Sequence, residues 1–382
     1  MNDKKGKRKK TNGLKDKVYF ITGASRGIGK AIALHLAAEG AIIVVAAKTT
    51  RESDARLPGT IYATAREIEE NGGKALAVPL DVRDEQQIKA AIAETIERFG
   101  RLDGIINNAG ALYMSSLDST RMKDHDLMHA VNTRAVDVLI QESLPWLKLS
   151  DNPRILNISP PIELHPGWLS FGYTRSKYAM SMATIGYAEQ LKQYGIAVNS
   201  LWPQTAVDTS AVRNKLGGDA TASLSRRPEF VALAAHLVLT KPKEITGQFF
   251  IDSQVIKSSG VKNVSRFRVD RKQPLLLDFF IGNPPQGKDG ALSRVVWPDK
   301  NGWLPEETVA HMDGENTEMV VLASEEGVYA VVKVTQEAQR YEGLIELSQL
   351  VAEQFKLDKH MTQITKLPGR KKATYLLALS SL

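Results

Sequence analysis

Tyr173 and Lys177 stand four residues apart in the run "YTRSK", a spacing that puts both side chains on one face of a helix. A phenol with an ordinary pKa near ~10 exchanges protons poorly at neutral pH, and an ammonium beside it stabilises the phenolate. The pair therefore reads as a general acid/base and the group that tunes it. Taken alone, such a pair reads as a solvated helix surface. A second constellation far upstream changes the balance. "TGASRGIG" places Gly23, Gly27 and Gly29 directly after an apolar run and at the entry to a helical one, with Ser25, Arg26 and Ile28 among them. Glycines at such a junction let the chain turn tightly and let a pyrophosphate approach free helix N–H groups.

The elements that must carry these groups follow from periodicity. Short runs rich in Ile and Val at 18–22, 41–47, 74–80, 102–107, 154–159, 196–202 and 247–252 read as buried strands. Between them lie stretches with helical spacing, among them one long helix from about Arg121 to Leu149. Repeated strand–helix–strand order predicts right-handed crossovers and a doubly wound parallel α/β sheet of Rossmann type over residues 14–256. From residue 257 the rhythm stops. Residues 257–290 read as an extended connector that packs on the first domain through Leu275 to Ile281. Residues 291–382 read as a small α+β module: a hairpin turning at Ser324 to Gly327, an amphipathic helix over 341–355, and two short strands around "LPGRKK". No cluster in that module points to chemistry.

Composition narrows the classes. The chain has 382 residues, 43% hydrophobic and 24% charged, and no cysteine. Thiolate nucleophiles, disulfides and Cys-bearing zinc sites are excluded. No apolar run is long enough for a membrane helix, and a cytoplasmic protein is the expectation. The net charge of +7 is concentrated at one end, where residues 1–17 hold eight Lys or Arg against Asp3 and Asp16. That reads as a basic flexible tail over 1–13, with tethering to nucleic acid or a membrane as the alternative. His125 and His129 have zinc-ligand spacing, but no third ligand stands near them in sequence and they read as a solvated face, so no metal is expected. The C-terminal "SSL" lacks the basic middle residue of the peroxisomal tripeptide.

With the glycine spacing T-G-x-x-x-G-x-G, "NNAG" at Asn107 to Gly110, and "DVRD" with Asp81 and Val82, the chain resembles the short-chain dehydrogenase/reductase family over residues 14–255. "NISPP", "WPQTAVDT" and "GTIYATAREIEENGGKAL" make it similar to the hydroxysteroid dehydrogenase-like protein 2 subgroup. The resemblance implies a catalytic set of Asn132, Ser159, Tyr173 and Lys177. Ser159 would bond a substrate oxygen, Asn132 would support a water-linked proton relay, and Lys177 would also hold the nicotinamide ribose. Asn108, Ala109 and Gly110, with Asp81, Val82, Pro203 and Thr205, would complete the cofactor site. A homo-oligomer acting on a small-molecule carbonyl or alcohol is implied as well. Lys48 after the second strand, with Arg26, favours a 2′-phosphate and hence NADP, while Glu52 nearby keeps NAD open. Gln204 stands where the family commonly has glycine, which puts the carboxamide contact in question. A dinucleotide binder without turnover, or a scaffold serving the basic tail, are the competing readings.

Overall fold

The computed structural model describes residues 13–281 apart from 53, 116, 170 and 171, then 292–296, 298–304 and four further strands between 318 and 379. The basic tail, save Gly13, and the helix expected over 341–355 lie outside the described residues.

Seven strands form one parallel sheet: β1 (Val18–Thr22), β2 (Ile42–Ala47), β3 (Lys74–Pro79), β4 (Gly104–Asn107), β5 (Arg154–Asn157), β6 (Ala197–Trp202) and β7 (Phe249–Ile251). Their spatial order is β3-β2-β1-β4-β5-β6-β7, so the chain reverses direction across the sheet between β1 and β4. In an open α/β sheet that reversal opens a crevice at the carboxyl ends of the strands.

The strands are apolar throughout because both faces are covered. Alternate residues serve opposite cores. Tyr19 and Ile21 of β1 pack with α1 (Gly27–Ala38) and α10 (Pro228–Leu239), whereas Val18 and Phe20 pack with α3 (Glu85–Phe99) and α5 (Ala135–Leu147). Between these helices come α2 (Ile61–Glu70), α4 (Met122–His129), α6 (Pro166–Leu169), α7 (Gly172–Leu191), α8 (Ser210–Lys215) and α9 (Gly218–Ser223), and α11 (Asp252–Ser258) follows β7. The Asp84 carboxylate caps α3 by accepting from Gln86 and Gln87 N–H, and Gly100 at φ +69° ends it.

The single helix expected from Arg121 to Leu149 is instead two. A wide π-type turn over Ala130–Arg134 separates α4 from α5. Hydrophobic spacing does not register such a turn, because one extra residue shifts the face by less than the width of an apolar stripe. Asn132 sits inside it.

A second, antiparallel sheet involves β8 (Leu275–Leu276), β9 (Leu292–Val296), β10 (Glu318–Ser324), β11 (Gly327–Val334), β12 (Thr362–Lys366) and β13 (Tyr375–Leu379), in the order β12-β13-β11-β10-β9-β8. The hairpin pairs Ser324 with Gly327, and β12 runs antiparallel to β13. The segment read as a connector supplies β8, whose Leu275 and Leu276 pair with Val296 and Val295. No helix among the described residues is long and apolar enough to cross a membrane.

Candidate active site

At the carboxyl ends of the parallel strands lies a cleft of about 920 Å³. One end is the glycine loop. Gly23 adopts φ +68°, and a Cβ there would sit 2.9 Å from the Ala109 Cα; a Cβ on Gly29 would sit 2.4 Å from Asn108 Nδ2 and 2.5 Å from the Gly23 carbonyl oxygen. The loop and "NNAG" thus pack without room for side chains. Thr22 fastens them: its Oγ1 accepts from the N–H groups of Asn108 and Ala109 at 3.0 Å each, and Asn108 Nδ2 donates to the Thr22 carbonyl at 2.9 Å.

Of the residues read as cofactor-binding, Gly23, Ser25, Arg26, Gly27 and Ile28 line this cleft from the loop and Lys48 from the end of β2. Asp81 and Val82 line it after β3, Asn108 to Gly110 after β4, Lys177 on α7 and Pro203 after β6. Gly29 and Thr205 stand behind the wall. Thr205 Oγ1 and Ser159 Oγ are buried without a hydrogen-bond partner. Buried hydroxyls without partners are uncommon; neither residue lines the cleft itself, although each adjoins one that does, Ile158 for Ser159 and Ala206 for Thr205. The glycine cradle fits a dinucleotide.

The charges around the outer end are partly committed. Arg26 donates to the carbonyls of Leu57, Pro58 and Gly59 at 3.0, 3.1 and 2.9 Å. Glu52 accepts from Gly59 N–H at 2.8 Å, which closes the same loop. Lys48 is exposed. Asp81 is held below the usual carboxylate range, first by hydrogen bonds from Arg83, with Lys48 adding to the effect. Arg26 is thus not the free cation that the sequence suggests, because the arginine's planar fork finds three carbonyls within reach.

The other end holds the proton chemistry. Tyr173 and Lys177 both lie on α7, buried and one turn apart. Lys177 Nζ donates to the Ile158 carbonyl at 2.6 Å, and Tyr178, one residue on, bonds Glu163 through its hydroxyl. Three consecutive carbonyls after β5 are pinned, Ile158 by Lys177, Ser159 by the Ser200 hydroxyl and Pro160 by the Ser181 hydroxyl. That fixes Ser159, which lies two residues beyond the strand. Asn132 uses its Oδ1 to accept from Ala111 N–H at 2.8 Å, and its Nδ2 to donate to the Ala111 carbonyl and Ser176 Oγ at 2.9 Å each. The Ser176 hydroxyl in turn donates to the Tyr173 carbonyl at 2.8 Å. The wide turn therefore ties the strand β4 exit to the helix bearing Tyr173.

Asn132→Ala is expected to lower stability by about 1–3 kcal/mol, because the half-buried Ala111 N–H and carbonyl and the buried Ser176 hydroxyl each lose a partner. Denaturant unfolding checks it, and a change below about 1 kcal/mol would show the tie to be unimportant.

The sequence predicts a phenol lowered by Lys177. Burial instead pushes Tyr173 up, and the Asp278 carboxyl adds to it. Burial also pushes Lys177 down to about 8, while Asp278 works the other way. Asp278, absent from the sequence reading, lines the cleft. It lies over 100 residues after Tyr173 in a stretch without a recognisable motif. Gln204 is 2% exposed and its side chain does not line the cleft. Its backbone N–H donates to Asp252 Oδ1 at 2.9 Å and its carbonyl accepts from Asp278 N–H at 3.0 Å. Among non-glycine residues described, only Asp16 and Phe280 have positive φ, so the Gln204 backbone needs no glycine. Trp168 is 3% exposed and also lines the cleft; Phe171 lies outside the described residues. The rings of His125 and His129 lie 4.4 Å apart, tilted by 39°. A cluster that spacing could not reveal brings His35, Glu39 and His236 together across α1 and α10, with His35 Nε2 and His236 Nδ1 3.1 Å apart.

Comparison with known proteins agrees with this architecture. Residues 17–218 match the family model for short chain dehydrogenases. "Hydroxysteroid dehydrogenase-like protein 2" of Xenopus tropicalis is 46% identical over 275 residues, covering 72% of this chain and 65% of that protein. The match thus spans just under two thirds of that relative's length. A crystal structure of a dehydrogenase from Xanthomonas campestris has 42% identity and a TM-score of 0.68, covering 71% of this chain and 99% of that one. A metagenomic short-chain oxidoreductase solved in complex with NADP is 26% identical over 63% of this chain, with a TM-score of 0.52. The parallel sheet, the glycine-lined cleft and the extent of these matches place the chain in the short chain dehydrogenase family.

Proposed function

We propose that the protein is an NADP-preferring oxidoreductase that interconverts a carbonyl and a secondary alcohol, with Tyr173 as general acid/base. The observation that carries this reading is the convergence of Tyr173 and Lys177 with the glycine loop on one cleft. A nicotinamide bound there supplies or accepts the hydride. The rest is the work of this chain. Ser159 Oγ, held by the pinned carbonyls and free of internal partners, bonds the substrate oxygen. Tyr173 gives that oxygen a proton in reduction and takes it back in oxidation. Lys177 places its ammonium at the same face of α7, where it binds the ribose and adds positive charge near the phenol. Asn132 keeps the helix in register with the exit of β4.

The NADP preference is supported by Lys48, which is exposed at the end of β2, and by Glu52, whose carboxylate is engaged with Gly59 N–H and so is not offered to a ribose hydroxyl. Fluorescence titration with NADPH and NADH tests it. The wild type is expected to bind NADPH more tightly, and Lys48→Ala to lose about tenfold in NADPH affinity with little change for NADH, the worth of one charge-assisted phosphate contact. Equal binding of the two cofactors would sink the preference. Binding of neither would sink the dehydrogenase reading.

A further inference from the structure

Part of the cleft's wall is not built by the seven-stranded fold. It comes from residues 275–281. This segment is zipped to the fold by backbone bonds: Ala206 N–H donates to the Leu276 carbonyl at 2.8 Å, Leu276 N–H to the Leu224 carbonyl at 2.9 Å, and Asp278 N–H to the Gln204 carbonyl at 3.0 Å. The Trp202 indole N–H donates to the Phe279 carbonyl at 2.9 Å. Phe280 is held at φ +66°, a region that costs a bulky residue on the order of 1–3 kcal/mol and persists only where the surroundings enforce it. Here they do. Its ring lies 5.3 Å from Tyr178, 5.5 Å from Trp168, 5.7 Å from Trp202 and 6.3 Å from Tyr173, where the two rings are stacked at 25°.

This anchoring presents Asp278 to the cleft. Its neighbours on that wall, Leu276, Leu277, Phe279 and Ile281, are apolar. One carboxyl oxygen accepts from Phe279 N–H at 2.7 Å. No basic group among the described residues lies within ion-pair distance of the carboxyl, although Lys177 and Tyr173 feel its charge. Asp278 is half-buried, so its carboxyl is open to the cleft rather than sealed in the core, and a carboxyl presented from an apolar wall is the kind of group found where ligands bind.

We propose that Asp278 is an active-site residue that selects substrates bearing a hydroxyl group close to the reacting carbon. The proposal rests on the carbonyl–alcohol reading above. Burial pushes Asp278 up to about 8, the Phe279 N–H and Lys177 oppose this, and Asp252 reinforces it. Asp252 is itself buried between Gln204 N–H, Ser253 N–H and Arg226. Raised in this way, the Asp278 carboxyl takes up a proton more readily than an ordinary carboxylate. A protonated carboxyl both donates and accepts, which is the pattern of a hydroxyl. A site that hydrogen-bonds a hydroxyl rejects the analogue lacking it far more strongly than an apolar pocket separates two hydrocarbons.

The test uses the full-length protein with NADPH and four ketones, cyclohexanone and its 2-, 3- and 4-hydroxy derivatives. In the wild type, at least one hydroxyketone is expected to exceed cyclohexanone in kcat/KM by about tenfold or more. Asp278→Leu is expected to erase that preference, and Asp278→Asn, which keeps a donor and an acceptor, to retain most of it. A wild type that turns over all four ketones alike, or an Asp278→Leu variant that keeps the preference, overturns the proposal. So does an equal loss on every ketone in both variants. Titration of the enzyme–NADPH complex with cyclohexanol and the cyclohexanediols reads the same preference without turnover. NADPH bound with no turnover, yet diols favoured over cyclohexanol in the wild type and not in Asp278→Leu, would overturn the catalytic reading and leave the Asp278 assignment standing.

Discussion

Tyr173→Phe is expected to cut kcat by about 10²- to 10⁴-fold, the usual contribution of a positioned general acid/base, with NADPH affinity unchanged. The substitution removes one hydroxyl from a ring packed against Phe280, so the wall of the cleft keeps its shape. Protein stability is accordingly a control here. The pH dependence follows from the direction of the shift. Burial and Asp278 both raise the phenol, so the protonated form that reduction needs persists across the neutral range. The phenolate that oxidation needs appears only as pH climbs. Oxidation by the wild type is expected to rise toward alkaline pH, and Asp278→Asn, by removing the nearby negative charge, to move that rise to lower pH. Steady-state rates in both directions check this. A Tyr173→Phe variant that keeps wild-type kcat would show that the phenol transfers no proton.

Gly29→Ala is expected to weaken dinucleotide binding by about ten- to a hundredfold, since forcing atoms into a filled site costs about 1–3 kcal/mol. The new methyl would lie 2.4 Å from Asn108 Nδ2 and 2.5 Å from the Gly23 carbonyl oxygen. Asn108 can rotate away, but it then surrenders its bond to the Thr22 carbonyl. The backbone of Gly23 has no such freedom. Either response deforms the loop proposed to face the pyrophosphate. Gly186→Ala on α7 provides the comparison, because nothing lies within 4 Å of a Cβ at that position. It is expected to leave binding intact and to raise stability by up to about 1 kcal/mol, through lower backbone freedom in the unfolded chain. NADPH titrations of the two variants check the pair of expectations, and equal affinities would mean that the loop does not need its close packing.

Both predictions draw on features written into short stretches of sequence. The glycine loop is legible because the constraint is local: a strand, a tight turn and a helix N-terminus occupy eight consecutive positions from Thr22 to Gly29. Tyr173 and Lys177 are legible because helical geometry fixes their relation whatever surrounds them. β1 falls on the five residues expected from its apolar run. The other strands of the parallel sheet lie within one to three residues of theirs, since a buried parallel strand must be apolar at every position.

What sequence spacing missed depends on partners far along the chain. The turn holding Asn132 is set by what its amide meets, the Ala111 backbone and Ser176, and an apolar stripe carries no trace of that. Arg26 is basic wherever it stands, yet only the fold brings three carbonyls of residues 57–59 to its guanidinium. Gln204 replaces a glycine in sequence, but its backbone lies outside the left-handed region and its side chain away from the cleft. Asp278 is the clearest case. Nothing in "LLLDFFIGNPP" distinguishes its carboxyl from a turn residue until the chain folds back over β6 and sets it against Tyr173 and Lys177. By itself the sequence determined the α/β sheet, the glycine loop and the Tyr–Lys pair, all products of local periodicity and helix geometry. The tertiary structure alone decided which charges face the cleft and how strongly burial shifts them, because desolvation is a property of everything packed around a group.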